Sequence, residues 1–148
     1  MGITLAKEEI FQSFISDSPK KTFWHGHSFT ANPLGCAAAN ASLDLLEKDP
    51  LKYLSFEEKH ISYLKKIKQL PFVKNIRVTG TIAAFDIEMG NDFGYLNNIG
   101  NKIKSLSIKK GLFIRPLGNV IYLLPPLCIT DKQLAKSYNI IFDILSEL

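Results

Sequence analysis

Between Trp24 and Leu46 the chain reads WHGHSFTANPLGCAAANASLDLL, a polar loop of small and hydroxyl residues running straight into an alanine-rich segment. Asn is a favoured N-cap, and Pro is pre-organised for the first helical position, where its missing N–H costs nothing; a helix is therefore expected to start at Asn32-Pro33. Ala37, Ala38, Ala39 and Ala41 leave almost no side chain in its first turns, so it can lie close to another backbone and act as a spine. In the loop before it, Gly26 permits close approach to a ligand or a positive φ, and His27, Ser28 and Thr30 offer hydrogen-bonding groups within a few residues. A small anion suits such a loop. On the residues alone the favoured assignment is an ordinary polar turn, in which Ser28 and Thr30 satisfy local backbone N–H groups. A metal site on His25, His27 and Cys36 is disfavoured, because alternate residues of an extended chain face opposite sides, no second cysteine is near, and Cys36 falls inside the expected helix.

The rest of the chain carries alternating helical and strand signals. Ile3 to Ala6 is a short apolar stretch that could form a strand, followed by a helix from about Lys7 to Ile15 and a loop over Ser16 to Lys21. Asp49-Pro50 repeats the cap-then-proline signal, and Leu51, Leu54, Ile61, Leu64 and Ile67 recur at helical spacing up to about Leu70. Val73 to Val78 and Thr81 to Ile87 read as a hairpin turning at Thr79-Gly80, with Phe85 and Ile87 on one face. Asn91 to Lys110 restores helical spacing through Leu96, Ile99, Ile103 and Leu106, with Gly111 as C-cap. Leu112 to Arg115 and Val120 to Leu124 are two further candidate strands joined by Pro116 to Asn119. Thr130 and Gln133 then form a capping box for a last helix whose buried side is Leu134, Tyr138, Ile141, Leu145 and Leu148. The expected fold class is α+β, a small mostly antiparallel sheet covered by helices on one side, with a boundary around Leu46 to Pro50 that separates residues 1–48 from 49–148.

At 148 residues, with 46% hydrophobic and 22% charged side chains, the chain has the balance of an ordinary soluble protein of modest size. No long apolar run occurs, and Lys7, Glu8 and Glu9 break any secretory pattern at the start, so no membrane partner and a cytoplasmic location are expected. The net charge of +4 comes from scattered lysines without interleaved aromatics, which describes a solvated face rather than a nucleic-acid surface. Cys36 and Cys128 make no disulfide framework and are expected to be small core residues.

Two blocks carry a resemblance. HGHSFTANPLGCAAANASLDLL, from His25, is similar to the cofactor-proximal segment of the class III (fold-type I) pyridoxal-phosphate aminotransferases, in which a His-Gly-x-Ser/Thr loop precedes Gly/Ala-Asn-Pro-Leu and an alanine-rich helix. GLFIRPLGNVIYLLPPLCIT, from Gly111 to Thr130, resembles the C-terminal substrate-binding segment of the biotin-pathway branch of that family. The likeness runs from the first residues to the last and corresponds to the final third of such an enzyme. It implies that residues 1–48 are a remnant of the large, pyridoxal 5'-phosphate-binding domain and that 49–148 are the C-terminal small domain. The implied reaction is amination of the keto-amino acid 8-amino-7-oxononanoate in a homodimer. The lysine that holds the cofactor covalently is then expected upstream of Met1, and the chain alone is expected to be inactive, with no catalytic residue of its own.

By the same resemblance, Gly26 places its backbone at the keto-amino acid, His27 and Ser28 hold the cofactor phosphate across the subunit boundary, and Arg115 binds the substrate carboxylate. Arg115 also has an independent case: a guanidinium fork suits a carboxylate, and an arginine between Ile114 and Pro116 is poorly explained by solubility, although a structural ion pair is the alternative. Relatives acting on ornithine or 4-aminobutyrate carry a basic residue where this chain has Tyr122; here the arginine stands before Pro116 instead, as in the biotin-pathway branch. Three departures from the pattern are His27 where some members have proline, Ala31 where most have glycine, and Leu127 where a tyrosine often follows the two prolines. The last leaves the amino donor open between S-adenosylmethionine and lysine. Two alternatives remain at this stage, another class III enzyme of ornithine or 4-aminobutyrate type, and a non-catalytic interaction domain of the same fold.

Overall fold

In the computed structural model, residues 2–89 and 98–148 are described, with the backbone alone for 51–53. The chain forms two compact units, Met1–Asp49 and Pro50–Leu148.

The first unit holds α1 (Glu8–Gln12), a single 3-10 turn at Pro19–Lys21, and α2 (Pro33–Lys48). α2 starts where the cap-then-proline signal places it: Asn32 Oδ1 accepts from the N–H groups of Leu34 (2.9 Å) and Gly35 (3.3 Å), satisfying donors that the helix itself cannot. Ile3 to Ala6 is not a strand, because an isolated apolar stretch has no ladder to join, and none of the described residues pairs with it. α1 is shorter than expected, covering Glu8–Gln12 within the Lys7 to Ile15 window, and none of its residues is buried. α2 likewise buries no residue, so its alanine face remains open within this unit.

The second unit has a core. β1 (Val73–Thr79), β2 (Ile82–Ile87) and β3 (Val120–Leu123) form an antiparallel sheet in the order β1-β2-β3. β1 and β2 turn through Gly80 and Thr81, one residue later than the sequence signal, with Gly80 at φ +54° in the left-handed region that a side chain disfavours. One extra residue in β1 between Lys74 and Arg77 makes a bulge, and Asn75 takes φ +49° there. The bulge is tied to the central strand. Asn75 Nδ2 donates to Asp86 Oδ2 (2.9 Å), and Arg77 Nη1 donates to Asp86 Oδ1 (2.8 Å) and to the Asn75 carbonyl (2.6 Å).

Ala83, Phe85, Ile87, Ile121 and Leu123 form one buried face, packed with Leu64 and Ile67 of α3 (Pro50–Ile67), Ile103 of α4 (Ile99–Lys109), and Leu134, Tyr138, Ile141, Ile144 and Leu145 of α5 (Asp131–Ser146). α5 opens with the anticipated capping box, in which Thr130 Oγ1 accepts from Gln133 N–H and Gln133 Oε1 accepts from Thr130 N–H. Just past the end of α4, Gly111 has a φ of +80° that lets Leu112 N–H return to the Ser107 carbonyl at 2.8 Å. The expected first turns of that helix, with Leu96, lie outside the described residues.

Several expectations are corrected. Leu112 to Arg115 is not a strand: Leu112 N–H is spent on the helix end, Pro116 has no N–H to give, and the pairing that follows among the described residues is a local bridge between Leu117 and Val120. α3 stops at Ile67, since Gln69 and Leu70 bond three residues back, to Lys66 and Ile67, in a tighter turn. Its buried stripe is Phe56, His60, Leu64 and Ile67, whereas Leu54 and Ile61 face solvent. Neither cysteine is in the core. Cys36 is half-buried because the α2 face carrying it is uncovered in its unit, and Cys128 is exposed in the turn before α5.

Candidate functional site

In the first unit, residues 27–30 form a turn closed on itself: Thr30 N–H donates to the His27 carbonyl (2.9 Å), and Thr30 Oγ1 accepts from His27 N–H (3.2 Å). Thr30 thus takes the local turn role open to either hydroxyl. Ser28 does not: its hydroxyl is exposed and has no hydrogen-bond partner among the described residues. The chain leaves the turn through Ala31 at φ +53°, the backbone conformation for which glycine is suited, before Asn32 caps α2. His27 stacks on Phe29, with ring centres 5.0 Å apart and planes within 3°, and meets His25 edge-on at 4.8 Å. A Cβ at Gly26 would meet nothing within 4 Å, and Gly26 is not in the left-handed region, so neither crowding within this unit nor backbone angle requires a glycine there.

The chemistry of this loop is one-sided. His25 to Asn32 contains no carboxylate, and His25, His27, Phe29, Thr30 and Asn32 border a cavity of about 780 Å³, whereas Gly26 and Ser28 are exposed but not on its wall. A donor set without negative charge fits a phosphate group.

In the second unit, Arg115 borders a groove of about 350 Å³ whose walls include Ile114, Tyr122, Leu124, Pro125 and Ile129. Arg115 is exposed, and it makes no hydrogen bond or ion pair among the described residues. The ion pairs found there are Lys59–Asp131, Arg77–Asp86 and Lys110–Glu147, so the structural-pair explanation of Arg115 has no partner among them. Its neighbour Ile114 is buried and anchors the segment to the core. The groove therefore joins an apolar trough to a permanent cation that is free of ion pairs among the described residues, an arrangement chemically suited to a carboxylate on an aliphatic chain. Gly26, His27 and Ser28 lie in the first unit and Arg115 in the second.

A buried polar tie joins three residues that are not on the wall of that groove. His60 is fully buried; its Nε2 is 3.1 Å from the Thr81 carbonyl and its Nδ1 is 2.6 Å from the Tyr138 hydroxyl. A carbonyl can only accept, so Nε2 carries the proton and Nδ1 accepts from Tyr138. Burial pushes the His60 pKa below its ordinary value, outweighing the opposite effect of the Thr81 carbonyl. Burial, with Tyr63 close by, pushes the Tyr138 phenol well above its own. Both groups are held neutral. The helical spacing of Phe56, His60 and Leu64 was the available signal, but a histidine on an apolar face does not reveal its partners. Among the described residues no group of His, Cys, Asp and Glu is placed to hold a metal ion, and no helix is long and apolar enough to cross a membrane.

The family model described as Aminotransferase class-III matches residues 1–145. The adenosylmethionine-8-amino-7-oxononanoate aminotransferase of Synechococcus elongatus is 47% identical over all of this chain, which covers 35% of that relative. The protein of the same name from Geobacter sulfurreducens is 39% identical over 90% of the chain and 31% of its own length. Among solved structures, the adenosylmethionine-8-amino-7-oxononanoate aminotransferase of Methanocaldococcus jannaschii superposes with a TM-score of 0.82 at 28% identity, over 95% of this chain and 34% of that one. An aminotransferase of Bacillus anthracis shares the fold with a TM-score of 0.79 at 22% identity, over 96% of this chain and 34% of that one. The chain thus spans about a third of the length of the relatives that it matches.

Proposed function

Because this chain belongs to the class III aminotransferase family, we propose that it forms the C-terminal portion of a pyridoxal-phosphate enzyme that aminates 8-amino-7-oxononanoate to 7,8-diaminononanoate in biotin biosynthesis. The observation that carries the substrate assignment is Arg115, a guanidinium free of ion pairs among the described residues, at the rim of an apolar groove. A medium-length keto-amino acid ending in a carboxylate satisfies both halves of that groove. In this reading the first unit belongs to the large domain and the second is the small domain. The enzyme works as a cytoplasmic homodimer, with S-adenosylmethionine or lysine as amino donor.

Pyridoxal 5'-phosphate, when bound, supplies the electron sink that lets an amino group pass between donor and keto acid. The residues present here contribute binding and orientation. Ser28 would donate its unengaged hydroxyl to a phosphate oxygen, and His27, whose backbone N–H and carbonyl are both bonded to Thr30, would stand beside it, both reaching the phosphate from the neighbouring subunit. Thr30, already committed to the turn, keeps that loop in shape. Gly26 leaves open space over its backbone where the keto-amino acid passes. Arg115 fixes the far end of the substrate, so that the keto group is the part left to react.

In the complete protein, Arg115→Ala removes a charge-assisted contact and is expected to lower kcat/KM for the keto acid by about ten- to more than a hundredfold, from roughly 1.5 to 3 kcal/mol of lost binding. The loss belongs to the half-reaction in which the keto acid is aminated, and conversion by the amino donor should be much less affected. Single-turnover absorbance of each half-reaction checks this. Equal losses in both halves, or a large fall in thermal stability, would return Arg115 to a structural role, and turnover of ornithine or 4-aminobutyrate in place of the keto acid would move the enzyme to another branch of the family.

A further inference from the structure

Gly100, in the first turn of α4, is buried, and a Cβ built on it would stand 2.1 Å from the Gly118 carbonyl oxygen and 2.8 Å from Pro116 Cβ. The first of these neighbours is backbone and cannot swing aside as a flexible side chain would. α4 and the Pro116–Gly118 segment therefore touch main chain to main chain, a contact available only to glycine. The same segment is fastened at two further points. It folds back on itself through Leu117 and Val120, which exchange N–H···O bonds of 3.0 and 2.9 Å, and bends at Gly118 with φ +60°. Asn119, buried, joins it to the end of β2: its carbonyl accepts from Ile87 N–H at 2.9 Å, and its Nδ2 donates to the Ile87 carbonyl at 3.2 Å. Arg115 is the residue immediately before Pro116, whose ring restricts the backbone of its predecessor to extended angles.

We infer that Gly100 is a positioning residue for Arg115: by letting the α4 backbone close on the Pro116–Asn119 turn, it sets where the guanidinium meets the substrate carboxylate. The inference rests on the reading of Arg115 as the carboxylate anchor. A methyl group at position 100 must displace either the helix or the turn, and a displaced turn carries the arginine with it. The charge stays in the groove but is misplaced, and misplacement of about 1 Å costs up to ~100-fold in rate.

The test uses the complete protein with Gly100→Ala, Arg115→Ala and the double variant, each assayed on the keto acid and on its neutral carboxamide, with thermal unfolding alongside. Gly100→Ala is expected to lower kcat/KM for the acid ~10-fold or more while changing the amide by less than ~3-fold, and to add little in the Arg115→Ala background. Equal loss on acid and amide, or losses that multiply in the double variant, would make Gly100 a packing residue only and overturn the inference while leaving the acid preference of Arg115 intact. An Arg115→Ala enzyme that discriminates acid from amide as well as the parent would overturn the carboxylate reading, and this inference with it. Should Gly100→Ala not fold, Asn119→Ala loosens the turn from the β2 side without adding an atom. A lowered acid-to-amide ratio in that variant supports the inference, and an unchanged ratio overturns it.

Discussion

Ser28 and Thr30 show how two similar residues are divided by a turn. Both hydroxyls could cap local N–H groups, but Thr30 Oγ1 takes the His27 N–H and Ser28 keeps its hydroxyl free among the described residues. Ser28→Ala in the complete protein should therefore leave the turn intact and weaken cofactor retention by about 1 to 2 kcal/mol, since one charge-assisted bond is lost while backbone donors remain. Equilibrium dialysis of the cofactor measures this, and unchanged affinity would leave Ser28 with no part in phosphate binding. Ala31 is strained. Its φ of +53° places a Cβ where the backbone favours glycine, so the departure from glycine noted in the sequence has a conformational cost. Ala31→Gly is expected to stabilise the protein by roughly 0.5 to 1 kcal/mol, the relief of strain being partly offset by a freer unfolded chain, and urea denaturation would read it.

At the scale of elements, the ends of helices were legible because the groups that satisfy them are local. Asn32-Pro33, Thr130 with Gln133, and Gly111 lie within a few residues of the N–H and carbonyl groups they serve. The face each helix buries was less legible. α3 turns His60 inward and Leu54 outward because the hairpin and α5 supply Thr81 and Tyr138 as partners, and a buried imidazole with both nitrogens bonded costs less than an unpaired one. That arrangement has a pH signature. The folded pKa of His60 lies below its unfolded value, so the unfolded chain takes up the proton first; the stabilisation is fully present above about pH 6.5 and is lost as pH falls through the lower, folded pKa. Urea unfolding between about pH 5 and pH 7 should show stability falling with acid, at up to about 1.4 kcal/mol per pH unit for one proton. His60→Gln should flatten that slope, and an unchanged slope would mean that the acid sensitivity arises elsewhere.

Across the whole molecule the two units differ in kind. The second has a continuous core of strand and helix residues, whereas in the first none of the described residues is buried and Phe11, Phe14, Phe23, Trp24 and Phe29 are exposed. In this chain taken alone, the first unit should exchange its amide hydrogens and be cut by protease well before Pro50–Leu148, and its exposed aromatics should drive self-association. Hydrogen exchange and sedimentation would show this, and a strictly monomeric chain protected in both units would contradict it. Sequence alone determined what depends on near neighbours: the α+β class, the hairpin, the caps, the class III family blocks and Arg115 before Pro116. Tertiary structure alone decided what depends on residues far apart in the chain. Leu112 to Arg115 remained outside the sheet, Cys128 came to the surface, and His60 met Tyr138. Gly100, unremarkable in its own helix, has no room for a side chain because the backbone of residue 118 passes it. The physical reason is range: caps and turns close bonds over three or four residues, while burial and backbone contact are settled by which distant segments the whole fold brings together.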